Sequence, residues 1–199
     1  MVSNTGFIES PHDDRDIILG CPKDFQLPKI CDYSDNIDVV KNQGSTMKCV
    51  PYSLSYVLEL QNKLNGESVI VDIDDIYDAR TNDNEGMAIR DALKYVKKIG
   101  YGDKDKKILS YGRLNSILAI KYNLLMNGPC LMALPVYSDR DDFWNGSDYQ
   151  GGHAICCVGY DNDSFILLNS WGPGFGYNGK CHLPFEDINR IIEAWGIIS

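Results

Sequence analysis

Hydrophobic positions along the 199-residue chain change their period about two thirds of the way through. In the first part they follow a helical rhythm. Across "SLSYVLELQNKL" at 53–64, Leu54, Val57, Leu58 and Leu64 recur at helical spacing, and Gly66 stops the run. "GMAIRDALKYVKKIG" predicts a second helix, with Ala88, Ile89, Ala92, Leu93 and Val96 on one face and Gly100 as terminator. "RLNSILAIKYNLLM" at 113–126 predicts a third, closed by Asn127, Gly128 and Pro129. After that come short apolar runs between turn residues, at 129–137, 153–160, 164–170, 180–185 and 194–199, which read as strands. Helices first and strands afterwards predict an α+β fold with segregated halves. Residues 1–26 read as an irregular polar arm, with Pro11, Pro22 and the acidic run "HDDRD".

Composition narrows the picture. An apolar fraction of 44% and a charged fraction of 24% suit one domain, or one domain of two lobes around a shared cleft. The net charge of -9, unrelieved by any basic run, repels phosphate backbones and anionic lipid heads, so neither nucleic acid nor a membrane surface is expected as a partner. No stretch approaches the roughly 18 apolar residues of a membrane span. "MVSNTGFIESPHDDRD" lacks the basic start and apolar core of a secretory signal. Seven cysteines, irregularly spaced, argue against a disulfide framework and for the cytoplasm or another reducing compartment. Adjacent Cys156 and Cys157 point to opposite faces if they lie on a strand, and without a Cys-x-x-Cys pair a structural zinc site is not expected.

One cysteine stands apart. In "KNQGSTMKCVPYS", Cys49 immediately precedes the first helix, where unsatisfied N–H groups and the helix dipole favour a thiolate. Pro51 is tolerated in that first turn. A buried, inert thiol is the competing reading, so a base is needed. His12 lies in the arm and His182 in a strand-like segment without polar company; His153, in "QGGHAICCVGYDN", follows two glycines at the mouth of an apolar strand. Sixteen residues on stands Asn169 in "NSWGPGFGYNG". A hairpin between the two strands brings His153 and Asn169 side by side, where the amide oxygen can orient the imidazole without adding charge, under cover of Trp171. Turn-forming roles for the glycines and Asn169 remain the alternative.

"QGSTMKC", "GGHAICCVGYDN" and "NSWGPGFGYNG" resemble, in order and spacing, the three active-site blocks of the papain-like (C1) cysteine peptidases, and look closer to microbial or viral members than to lysosomal ones. The resemblance runs from about Leu27 to the end. It implies a papain-like two-lobe fold, a helical lobe at about 43–127 followed by a β-barrel-like lobe at about 128–199, with the cleft between them. It implies Cys49 as nucleophile, His153 as base and Asn169 as its orienting partner. Gln43 and the Cys49 N–H would form the oxyanion hole. Gly86, in "NEGMAIRDALKYVKKIG", and Gly152 would bind substrate backbone, and Trp171 would line the leaving-group side. The implied activity is hydrolysis of peptide bonds through an acyl-enzyme thioester, on a protein or peptide substrate, by a monomer, with neither cofactor nor metal.

The chain departs from the pattern in places. The loop Ser45–Lys48 lacks the usual glycine and second cysteine, and Val50 replaces the tryptophan that usually follows the nucleophile. Only about 26 residues stand where a long proregion is usual, and the arm is expected either to cover the cleft or to strap the body. A silent peptide-binding module on the same fold is the alternative function; a peptidoglycan amidase, deubiquitinase-like isopeptidase or transglutaminase fits the "NSWG" block less well.

Overall fold

The computed structural model describes residues 5–82 and 85–199. The first four residues of the arm, and Asn84 at the head of the second-helix segment, lie outside the described residues. In chain order the elements are β1 (Phe7–Ile8), β2 (Ile18–Leu19), β3 (Cys31–Asp32), α1 (Cys49–Leu64), α2 (Ile73–Tyr77), β4 (Met87–Ala88) and α3 (Ile89–Lys98). Then follow β5 (Ser110–Leu114), α4 (Ile117–Asn127), β6 (Cys130–Val136), β7 (Gly151–Tyr160), β8 (Ser164–Leu168), β9 (Lys180–Pro184) and β10 (Glu193–Ile198).

The central helix α1 is buried on nearly every side, as a helix through the middle of a core must be. It starts at Cys49, four residues before the apolar spacing first shows, because Pro51 needs no N–H in the first turn. Ser53 Oγ donates to the Ala154 carbonyl at 2.8 Å, and Gln61 Nε2 to those of Asn127 at 2.7 Å and Ile197 at 3.2 Å. These bonds clamp the helix to β7, to the end of α4 and to β10.

The sheet runs β2-β5-β10-β6-β7-β1-β4, with β3 and β8 also on β7 and β9 beyond β8. On β7 the two-residue period divides the side chains between two cores. Ala154, Cys156 and Val158 join α1 and α3 in the first, while Ile155 and Cys157 join α4, β6 and β8 in the second, and a bulge between Cys157 and Gly159 turns Tyr160 into the second core as well. Cys156 and Cys157 therefore face opposite ways, as adjacent strand residues should. All seven thiols are free.

Three local expectations need correction. The arm is not irregular throughout: Phe7 pairs antiparallel with Gly152 of β7 and parallel with Met87 of β4, while Ile18 pairs with Arg113 of β5. The third helix begins at Ile117, not 113, because Ser116 caps it by accepting the Ala119 N–H at 3.1 Å; Arg113 and Leu114 belong to β5, Arg113 pairing with Trp195 of β10 and Leu114 with Leu19 of β2. His182 does have polar company, with Ser164 Oγ at 3.0 Å and Asp161 at 3.3 Å. α4 packs Ala119, Ile120 and Leu124 into the second core, beneath the strands.

Candidate active site

Cys49 is the first residue of α1, so its sulfur stands at the helix terminus whose N–H groups lack helical partners. The Ala154 N–H points at Cys49 Sγ at 3.5 Å, which brings the His153–Ala154 peptide of β7 against the thiol. Across the β7–β8 hairpin, His153 Nε2 lies 2.8 Å from Asn169 Oδ1. That oxygen also accepts the Ser170 N–H at 2.8 Å, so it is an acceptor and the imidazole Nε2 carries the proton. His153 Nδ1 has no hydrogen-bond partner among the described residues. The neutral ring thus keeps its Nδ1 lone pair for another proton.

Gln43 lies on the other side of Asn169. Its N–H donates to the Ser170 carbonyl at 2.8 Å, its Oε1 accepts from Ser170 Oγ at 2.6 Å, and its Nε2 donates to the Thr46 carbonyl at 2.8 Å. Ser170 therefore ties the glutamine to the asparagine, a link that sequence reading missed although it sits inside the "NSWG" block. Trp171 packs beside the imidazole with ring centroids 4.6 Å apart, and Phe143 meets the same imidazole edge-on at 5.7 Å. Phe143 was also missed: it stands in the loop between β6 and β7, where no periodic pattern singles it out.

What closes this site is the arm. Cys49, His153 and Asn169 are 0% exposed and Gln43 2%. Gly6 accepts the Met87 N–H at its carbonyl, 2.8 Å away, while its own N–H supports the Cys49 sulfur. Gly152 and Gly86 both face the arm, Gly152 against the Phe7 ring and Gly86 against Ile8 and the Gly6 carbonyl. Thr5 Oγ1 adds a hydrogen bond to the Gln150 carbonyl at 3.2 Å. The cleft thus holds the chain's own residues 5–8 on the surfaces where the sequence resemblance placed substrate backbone.

Burial governs the electrostatics. It pushes the Cys49 thiol up to about 11, against the opposing pull of N–H groups from Ala154, Gly6, Val50 and Cys49 itself. It also pushes His153 down to about 4, with the Asn169 hydrogen bond opposing. In the closed cleft both groups are therefore neutral at pH 7. Among the described residues no group of three or more His, Cys, Asp or Glu side chains could hold a metal ion, and no helix is long and apolar enough to cross a membrane.

No protein-family model matches the chain. Among curated proteins it is 44% identical over 50 residues to an uncharacterized peptidase C1-like protein of Acanthamoeba polyphaga mimivirus, a match covering 23% of this chain and 16% of that protein. It is 36% identical over 87 residues to a cathepsin B-like protein of Giardia intestinalis, covering 38% of this chain and 28% of the relative. The matched stretches span less than a third of either relative. Among solved structures, xylellain, a cysteine protease from Xylella fastidiosa, superposes with a TM-score of 0.87 at 24% identity, covering 99% of this chain and 96% of that one. A buried central helix against a mixed sheet, together with that superposition, makes this an α+β protein of papain-like fold. The fold is that of the papain-like cysteine proteases among the solved structures.

Proposed function

We propose that the chain is a cysteine peptidase and that residues 5–8 hold it closed in the state described above. The observation that carries the reading is the His153–Asn169 hydrogen bond, with the Cys49 thiol at the head of α1 against the next residue of the same strand. Once the arm leaves and water enters, His153 takes the thiol proton and the thiolate attacks the scissile carbonyl carbon. The Cys49 N–H and the Gln43 side-chain amide serve the oxyanion. The imidazolium gives its proton to the leaving amine, which departs and leaves a thioester. His153 then draws a proton from water, which attacks the thioester and releases the acid and the thiol. Oxyanion donors of this kind contribute about 10²–10³ in rate.

The test is incubation with an epoxysuccinyl inhibitor under reducing conditions, followed by peptide mapping, alongside turnover of a fluorogenic peptide. A single adduct on Cys49, lost in His153→Ala, with turnover that disappears in Cys49→Ala, is the expected result. A protein opened at the arm that takes no adduct and turns over no peptide overturns the peptidase reading in favour of a peptide-binding module.

A further inference from the structure

Beyond the cleft the arm reaches a second polar centre, made by side chains far apart in sequence. Arg90 comes from α3, Arg113 from β5, and Glu193 and Trp195 from β10. The guanidinium groups of Arg113 and Arg90 lie over the Trp195 ring, 4.4 and 5.6 Å from its centroid. Arg113 Nη1 donates to Glu193 Oε2 at 3.2 Å. Into this centre the arm places Asp16. Arg90 grips both carboxylate oxygens, Nε donating to Oδ1 at 3.2 Å and Nη2 to Oδ2, while Arg113 Nε donates to Oδ2 at 2.7 Å. Arg90 Nη1 donates to the Pro11 carbonyl. Ser10 Oγ donates to Glu193 Oε1 at 2.9 Å and accepts the Arg90 N–H at 3.2 Å.

Two features make this more than a surface ion pair. The Arg90 side chain is only 6% exposed, and every hydrogen bond described for it runs to the arm. The body alone supplies two guanidinium groups against one carboxylate, so without Asp16 a buried positive charge stands unmatched in a chain of net charge -9. Fork-shaped guanidinium recognition of this kind suits the two oxygens of a planar carboxylate.

We propose that Arg90 and Arg113, set on Trp195, form a carboxylate-binding site outside the catalytic cleft, filled by Asp16 so as to anchor the arm. The proposal rests on the reading of residues 5–8 as a closing segment and names what holds that segment down. The ligand it takes is a carboxylate: that of Asp16 in the closed chain, and that of a small organic acid when Asp16 is shortened. Charge-assisted hydrogen bonds of the strength typical for such pairs set the expected effect at about tenfold or more in arm opening.

The experiment uses the full chain and reads the rate at which iodoacetamide alkylates Cys49, by peptide mapping. Asp16→Ala is expected to raise that rate about tenfold or more, and Asp16→Glu to leave it near that of the unaltered chain. Excess acetate is expected to slow alkylation of Asp16→Ala again, while chloride at equal ionic strength does not, and Arg90→Gln in that background is expected to abolish the acetate effect. An Asp16→Ala rate equal to that of the unaltered chain, or equal action of acetate and chloride, overturns the proposal. Alkylation reports access to the thiol whether or not the thiol is catalytic. Failure of the carboxylate site is thus separable from failure of the peptidase reading, which peptide turnover reports.

Discussion

Gly6 faces the carbonyl of Met47 so closely that a β-carbon on it would stand 1.9 Å from that oxygen. No rotamer relieves such a contact, because both partners are backbone. Gly6→Val therefore cannot seat the arm as described. The expected outcome is a folded protein whose Cys49 reacts with iodoacetamide at least about tenfold faster, the equivalent of roughly 1.4 kcal/mol less hold on the arm. Peptide mapping after timed alkylation checks it, and unchanged reactivity would place the arm elsewhere in solution.

Burial of His153 makes the closed state sensitive to acid. The imidazole sits at about 4 when covered, against an ordinary 6.5, so the open or unfolded chain binds this proton more readily. Stability of the closed state is fully present above about 6.5 and falls as the pH drops from there through about 4. Asp16 adds to the loss at still lower pH. Burial favours its neutral form, but hydrogen bonds from Arg113 and Arg90 outweigh that and hold it below 3.8. Cys49 acts at the other end, where alkali favours opening because the covered thiol ionises only at about 11. Thermal midpoints measured from pH 7 to 4 are expected to fall more steeply for the unaltered chain than for His153→Gln, which has no imidazole to charge. Parallel curves would exclude His153 as the source.

Ser170 is expected to matter for rate as well as stability. Its hydroxyl donates to Gln43 Oε1, and Ser170→Ala removes that buried hydrogen bond, at a cost of about 1–3 kcal/mol. The amide proposed to serve the oxyanion is then less firmly aimed. In the Gly6→Val background the measurement is kcat against KM on a fluorogenic peptide. A fall in kcat with little change in KM is expected, and a change confined to KM contradicts a positioning role.

Leu54, fully buried on α1 in the first core, offers a control on the body of the protein. Leu54→Ala is expected to cost about 2–5 kcal/mol, read by urea denaturation. Its effect on alkylation is expected only near the unfolding transition, unlike that of Gly6→Val.

The blocks of the candidate site were legible because two of them lie on apolar runs bounded by turn residues. β7 is a ten-residue apolar strand buried almost throughout, and β8 pairs back on it, so the approach of His153 to Asn169 follows from one hairpin. The path of the arm was not legible. β1 and β2 are two residues each, too short to show a period, and they exist only because β7, β4 and β5 offer them partners. β5 was hidden for a different reason. Leu114 falls in helical register with the residues that follow it, and only the capping role of Ser116 separates strand from helix. The Asp16 site drew residues from four separate parts of the chain, and nothing in the acidic run at 12–16 distinguishes that aspartate from its neighbours.

β1 and the cleft it fills belong to one chain, and a closing segment built this way is never diluted. A tethered peptide meets its site at an effective concentration on the order of millimolar for short linkers, however little protein is present. A free peptide entering the cleft competes with that standing concentration, not with an empty surface. Under the proposed peptidase reading, the closed chain sets a threshold: scarce or weakly binding peptides leave the thiol covered, while abundant or well-matched ones displace the arm by mass action.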